Sequence, residues 1–133
     1  MAETIDIIQQ SMRQQGYKDN DIQKALGGIA TLVKRPGAKL VNFGNTVFLV
    51  MVKAPGEVEV HTFSAETPQQ LARNFVSLSK YLKNIGVKTA KTYSDDVRFK
   101  EIGKMTGLPI KVNQTAKMFG NEMKPSYEYV LEM

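Results

Sequence analysis

The fold turns on one stretch, Glu57-Val58-Glu59-Val60-His61-Thr62-Phe63-Ser64-Ala65-Glu66-Thr67-Pro68-Gln69-Gln70-Leu71. Its opening alternates Val58, Val60 and Thr62 against Glu57, Glu59 and His61, the two-residue period of a strand. Thr67 then reads as a helix N-cap, Pro68 as the first helical residue, and Gln70 as the partner that completes a capping box. Leu71, Phe75, Leu78 and Leu82 follow on one helical face, and Gly86 ends the helix in the manner of a C′ glycine. A helix that starts where a strand stops brings free N–H groups and the positive end of a helix dipole together. Such a place can hold an anion. Ser64, Thr67, Gln69 and Gln70 are the residues in position to do so. Capping alone competes for the same groups.

Upstream, Ile5, Ile8 and Met12 fall at helical spacing, and Gly16 closes a first helix. Asn20 is expected to cap a second helix, with Gln23 behind it. Ile22, Ala25, Leu26, Ile29, Ala30 and Val33 form its apolar stripe. Gly27-Gly28 inside that helix costs about 1 kcal/mol per glycine relative to alanine, so a closely packed backbone is expected there. Pro36-Gly37 stops the helix, with Lys34 and Arg35 at its negative end. Strands are expected at 39–43 and 46–53, joined by a Gly44-Asn45 hairpin turn. Val47 to Val52 is apolar without alternation, the mark of a strand covered on both faces.

Downstream, 87–93 reads as a strand parallel to the one before it, because a helical crossover joins them. Ser94-Asp95-Asp96-Val97 opens a helix that Gly107 and Pro109 end. Strands are expected at 108–112 and 127–132, the second alternating Tyr127, Tyr129 and Leu131 with Glu128, Val130 and Glu132. Residues 113–123 carry little pattern and read as a link.

The chain has 133 residues, enough for one domain with its own core. It has no cysteine, which excludes disulfides, thiolate metal sites and cysteine nucleophiles. No apolar run is long enough to span a bilayer. The acidic, amphipathic opening lacks the pattern of a signal peptide, so a cytoplasmic location is expected. A net charge of +5 favours acidic partners weakly. The basic residues are scattered, so nucleic-acid binding is not expected.

The element order α-α-β-β-β-α-β-α-β-β resembles that of the GNAT acetyltransferase superfamily. Two stretches add to the resemblance. One is the strand-to-helix junction Phe63–Gln70. The other is Asp96-Val97-Arg98-Phe99-Lys100-Glu101-Ile102-Gly103-Lys104-Met105-Thr106-Gly107-Leu108, which is similar to the family's late helix, Asn-x-x-Ala-x-x-Phe-Tyr-x-x-x-Gly-Phe. The resemblance implies one α/β (α+β) domain, residues 1–133, with a mixed, mostly antiparallel sheet. It also implies acetyl-CoA as cofactor, with Phe63, Ser64, Thr67, Gln69, Gln70 and Asp96 as cofactor-binding residues. The chain further resembles small acetyltransferase-like proteins of tailed bacteriophages. That likeness implies protein partners, within a virion or the host cytoplasm, and allows a homo-oligomer.

The junction departs from the family pattern Gln/Arg-x-x-Gly-x-Gly/Ala. It has no glycine to let backbone N–H groups approach a phosphate. Glu66 adds a negative charge, and Pro68 removes a donor. The late helix has Ile102-Gly103 where the family has Phe-Tyr, so the tyrosine that protonates the leaving thiolate is missing there. The expected function is therefore a binding or structural protein on a GNAT-like fold. The alternative is an active, divergent N-acetyltransferase. For that alternative Glu57 and Glu59, with His61 on the same strand face, are the candidate bases, and Tyr129 is a candidate replacement acid. An ordinary solvated strand face explains the same alternation. His61 and a neighbouring carboxylate are too few ligands for a metal.

Overall fold

The computed structural model describes residues 2–64, 66–94, 98–119 and 122–133. Helices α1 (Ala2–Gln14) and α2 (Asp19–Leu32) come first. Strands β1 (Ala38–Phe43), β2 (Thr46–Ala54) and β3 (Glu57–Ser64) follow, then helix α3 (Pro68–Asn84) and strand β4 (Thr89–Ser94). Helix α4 (Arg98–Met105) precedes the last strands, β5 (Ile110–Phe119) and β6 (Glu122–Glu132). The order is the one expected from the sequence. The six strands form one mixed sheet in the order β1-β2-β3-β4-β6-β5. Every neighbouring pair is antiparallel except β3 and β4.

That one parallel pair is short. It joins Glu57–Thr89, Val58–Ala90 and Glu59–Lys91, and then the ladder stops. Strand β3 continues to Ser64 and β4 to Ser94. Past the ladder, the Thr92 hydroxyl donates to the Val60 carbonyl at 2.7 Å. A side chain thus takes over where backbone pairing ends, and the two strands part toward the start of α3.

The layers follow from strand alternation. On one face, Phe48, Val50, Val58 and Val60 pack with Leu78 and Leu82 of α3 and with Val87. On the other, Val47 packs with Ile7, Ile8 and Met12 of α1 and Ile22 of α2, and Phe63 joins them. Residues 46–50 are all buried, which is why β2 lacks alternation there. Val52, at 56% exposed, lies beyond the covered part.

Several expectations need correction. Helix α2 begins at Asp19 after Lys18, which makes no side-chain cap, so Asn20 lies inside the helix. The helix ends at Leu32, which places Lys34 and Arg35 past its end. Ideal Cβ atoms on Gly27 and Gly28 would meet nothing within 4 Å, so no backbone packs against them. The fourth strand starts at Thr89 and the fifth at Ile110. The expected link at 113–123 is largely strand. Strands β5 and β6 pair from Ile110–Leu131 out to Phe119–Glu122 as one long hairpin. The expected acidic start of α4 at 95–97 lies outside the described residues.

Candidate functional site

The junction after β3 is built as the sequence suggested, but it closes on itself. The Thr67 hydroxyl accepts the Gln70 N–H at 3.3 Å, and Pro68 opens α3. The Gln70 side chain does not complete the capping box. Its amide instead donates to Asn74 Oδ1 at 3.1 Å, one turn onward. The Ser64 hydroxyl lies 2.8 Å from the Thr46 hydroxyl and accepts the Glu66 N–H at 3.2 Å. The Ser64 N–H donates to Ser11 on α1 at 3.1 Å.

Glu66 is the pivot of this turn. Its Oε2 accepts from Asn74 Nδ2 at 2.6 Å, and its Oε1 accepts the backbone N–H of Asn45. Asn45 lies in the two-residue turn between β1 and β2, where Phe43 faces Thr46. Gly44 has φ +57° while Asn45 has an ordinary negative φ, as a type II′ turn requires. A Cβ on Gly44 would lie 2.6 Å from Glu66 Oε1, so the carboxylate seats against a glycine. Asn74 is only 4% exposed, and its Nδ2 also donates to the Thr46 hydroxyl at 3.0 Å. The carboxylate's negative charge therefore sits inside the junction, satisfied by the chain's own donors.

The other sequence candidates separate by sheet face. Phe63 turns toward α1 and α2. Gln69 is exposed, and Asp96 lies outside the described residues. Glu57 takes Lys91 in an ion pair at 2.8 Å. Glu59 lies 3.4 Å from Lys53 and 3.5 Å from His61. Lys91 keeps its proton more firmly than an ordinary lysine, because it hydrogen-bonds to Glu57 and feels that charge. Glu59, Lys91 and Val130 share one row across β3, β4 and β6, so their side chains point to one face. Tyr129 is the next residue along β6 and points to the opposite face. There it is 3% exposed, against Phe99 of α4. The sheet itself lies between the carboxylates and this tyrosine.

On the face of the carboxylates, Tyr93 donates to Glu128 at 2.9 Å, and Asn113 reaches the same carboxylate at 3.3 Å. Burial, and then the bond to Glu128, push the Tyr93 phenol above its ordinary value. A groove of about 530 Å³ runs over this face, lined by Glu57, Lys91, Lys111, Glu128 and their neighbours. On the α3 side an aromatic row lies between helices and sheet. Phe48, Phe75, Phe99 and Tyr129 follow one another at centroid distances of 5.2, 5.4 and 4.9 Å. Beside the row is an apolar cavity of about 70 Å³. Among the described residues no cluster of metal ligands occurs. No described helix is long and apolar enough to cross a membrane.

The parted β3 and β4, with a capped helix at their open end, place this chain among known architectures. Solved acetyltransferases superimpose on it over 69% to 92% of their own lengths. The fold is that of the GNAT acetyltransferases. A putative ribosomal-protein-serine acetyltransferase from Vibrio cholerae matches with a TM-score of 0.66 at 8% identity, covering 100% of this chain and 90% of its own. The microcin C7 self-immunity acetyltransferase MccE, solved with acetyl-CoA and AMP, gives 0.66 at 11% identity, covering 99% and 86%. An acetyltransferase from Bacillus subtilis, solved with CoA, gives 0.57 at 10% identity, covering 80% and 83%. No protein-family model and no curated protein sequence matches the chain.

Sequence reasoning missed Asn45, Asn74, Tyr93 and Glu128. Asn74 left one signal: it is a polar residue on the stripe of Leu71, Phe75 and Leu78. The other partners are brought together across strands and leave no local pattern.

Proposed function

We propose that this GNAT-fold chain is a binding or structural protein that does not transfer acetyl groups. The observation that carries this reading is the closed junction at the start of α3. In the resembled family that junction holds the coenzyme A pyrophosphate. Here Ser64 holds the Glu66 N–H, Thr67 holds the Gln70 N–H, and Glu66 adds a carboxylate held by Asn45 and Asn74. A diphosphate placed there would meet a negative charge and find several of the donors already engaged. The aromatic row supports the same reading, because it narrows the space between α3, α4 and the sheet to an apolar cavity of about 70 Å³. The partner is proposed to be a protein. A tailed-phage virion is the proposed setting, on the sequence resemblance alone.

The alternative, an active N-acetyltransferase, draws on a different observation. Strands β3 and β4 pair through only three residue pairs, and in this reading an extended ligand arm would lie along their unpaired continuation. One measurement separates the two. The melting temperature is recorded with and without millimolar coenzyme A and acetyl-CoA. A ligand at a hundred times its dissociation constant adds about 2.7 kcal/mol of stability. No shift is expected. A saturable rise with either compound would overturn the binding-only reading. Mass spectrometry of purified virions from a phage that encodes this chain tests the setting: its absence from the particles would refute that part.

A further inference from the structure

We infer that the niche between the Gly44-Asn45 turn and Asn74 is an oxyanion site whose occupant is the chain's own Glu66 carboxylate. When that side chain is removed, a small free oxyanion, carboxylate or phosphate, takes its place. The inference deepens the proposed function and rests on it in one respect: the tethered carboxylate is what closes the junction to a diphosphate.

The niche has the parts that such a site needs. It offers one backbone donor, the Asn45 N–H, and one side-chain donor, Asn74 Nδ2, one to each oxygen of the carboxylate. Two donors spaced for two oxygens bind a carboxylate or two oxygens of a phosphate equally well. Asn74 is held in place independently of Glu66. Its Oδ1 accepts from Gln70, its Nδ2 also reaches Thr46, and it is 96% buried by complement of its 4% exposure. The turn is likewise fixed by its own register, Phe43 to Thr46, and by the positive φ of Gly44. Room for the anion exists because position 44 lacks a Cβ, which would stand 2.6 Å from the carboxylate oxygen. Both donors have anchors besides Glu66, so the niche is expected to survive removal of its occupant.

The test uses the full chain with Glu66→Ala. Melting temperatures are measured in sodium chloride, sodium formate and sodium phosphate at matched ionic strength and pH. In chloride the variant melts below the wild type. Formate or phosphate returns at least half of the lost melting temperature, and the effect saturates. Recovery with formate and not phosphate marks a carboxylate site, and the reverse marks a phosphate site; either supports the inference. The wild type, already filled, shows no saturable response. The double variant Glu66→Ala with Asn74→Ala also shows none. Absence of anion-specific recovery in a folded Glu66→Ala chain overturns the inference, as does equal recovery in the double variant. If Glu66→Ala does not fold in chloride, refolding in formate or phosphate decides: a chain that folds in either and not in chloride supports the inference, and one that stays unfolded in both overturns it. Coenzyme A binding by the wild type would sink the proposed function and leave this inference standing. Failed recovery would do the opposite.

Discussion

Phe99 is the side chain on which α4 depends, and replacing it tests how that helix is held. Helix α4 has only eight residues, too few to be stable alone in water. Phe99 lies between Phe75 of α3, at 5.4 Å and 89°, and Tyr129 of β6, at 4.9 Å and 68°. Both are edge-to-face pairs, each contributing about 0.5–1.5 kcal/mol beyond burial. The ring is half-buried, so about 100 Å² of apolar surface is at stake, or about 2.5 kcal/mol at 25 cal/mol per Å². The adjoining cavity of about 70 Å³ means the gap left by the ring joins an existing void and is poorly refilled. Phe99→Ala should therefore cost about 3.5–5.5 kcal/mol. Urea unfolding at constant m-value measures it, and amide exchange should show α4 losing protection before α3 does. A loss below about 1 kcal/mol, or α3 and α4 opening together, would refute this account of the helix.

Gly28→Ala should stabilise the chain by about 1 kcal/mol, since α2 is helical there and a Cβ meets nothing within 4 Å. A melting temperature that falls would mean that the position is packed after all. Tyr93→Phe addresses pH. Burial and Glu128 raise the phenol above 10.0, and Glu57 raises Lys91 above 10.5. In both, the folded chain holds the proton more tightly than the unfolded one. Their contribution is complete below about pH 10 and is lost as pH rises through the folded values. Stability measured from pH 9 upward should thus fall less steeply in Tyr93→Phe than in the wild type, with Lys91 supplying the remaining slope. Identical slopes would remove Tyr93 from the explanation.

The order of elements was legible because most helices and strands carried a local period or a bounded apolar run. Residues 57–71 show this best, with alternation passing into a capped helix at Thr67 as found. The β5–β6 hairpin was half invisible for a physical reason. Strand β4 ends at Ser94 opposite Tyr127, and beyond that point β5 and β6 pair only with each other. With no third strand, the pattern there has only a two-stranded ribbon to impose it. The start of α2 was misplaced because Asn20 is a good cap by type, while Lys18 does that job without a side-chain bond. At the site, the negative charge of Glu66 could be read, but its direction could not. Its partner Asn45 stands 21 residues earlier, and only the pairing of β2 with β3 brings the two together.

The three-rung junction of β3 with β4 has a mechanical consequence. The sheet is two antiparallel three-strand units, β1-β2-β3 and β4-β6-β5, stitched along a seam of Glu57–Thr89, Val58–Ala90 and Glu59–Lys91. Helix α3 is the chain's covalent bridge from one unit to the other. A load that pulls the units apart meets its least backbone resistance at this seam, so the molecule has a built-in parting line that leaves each half-sheet whole.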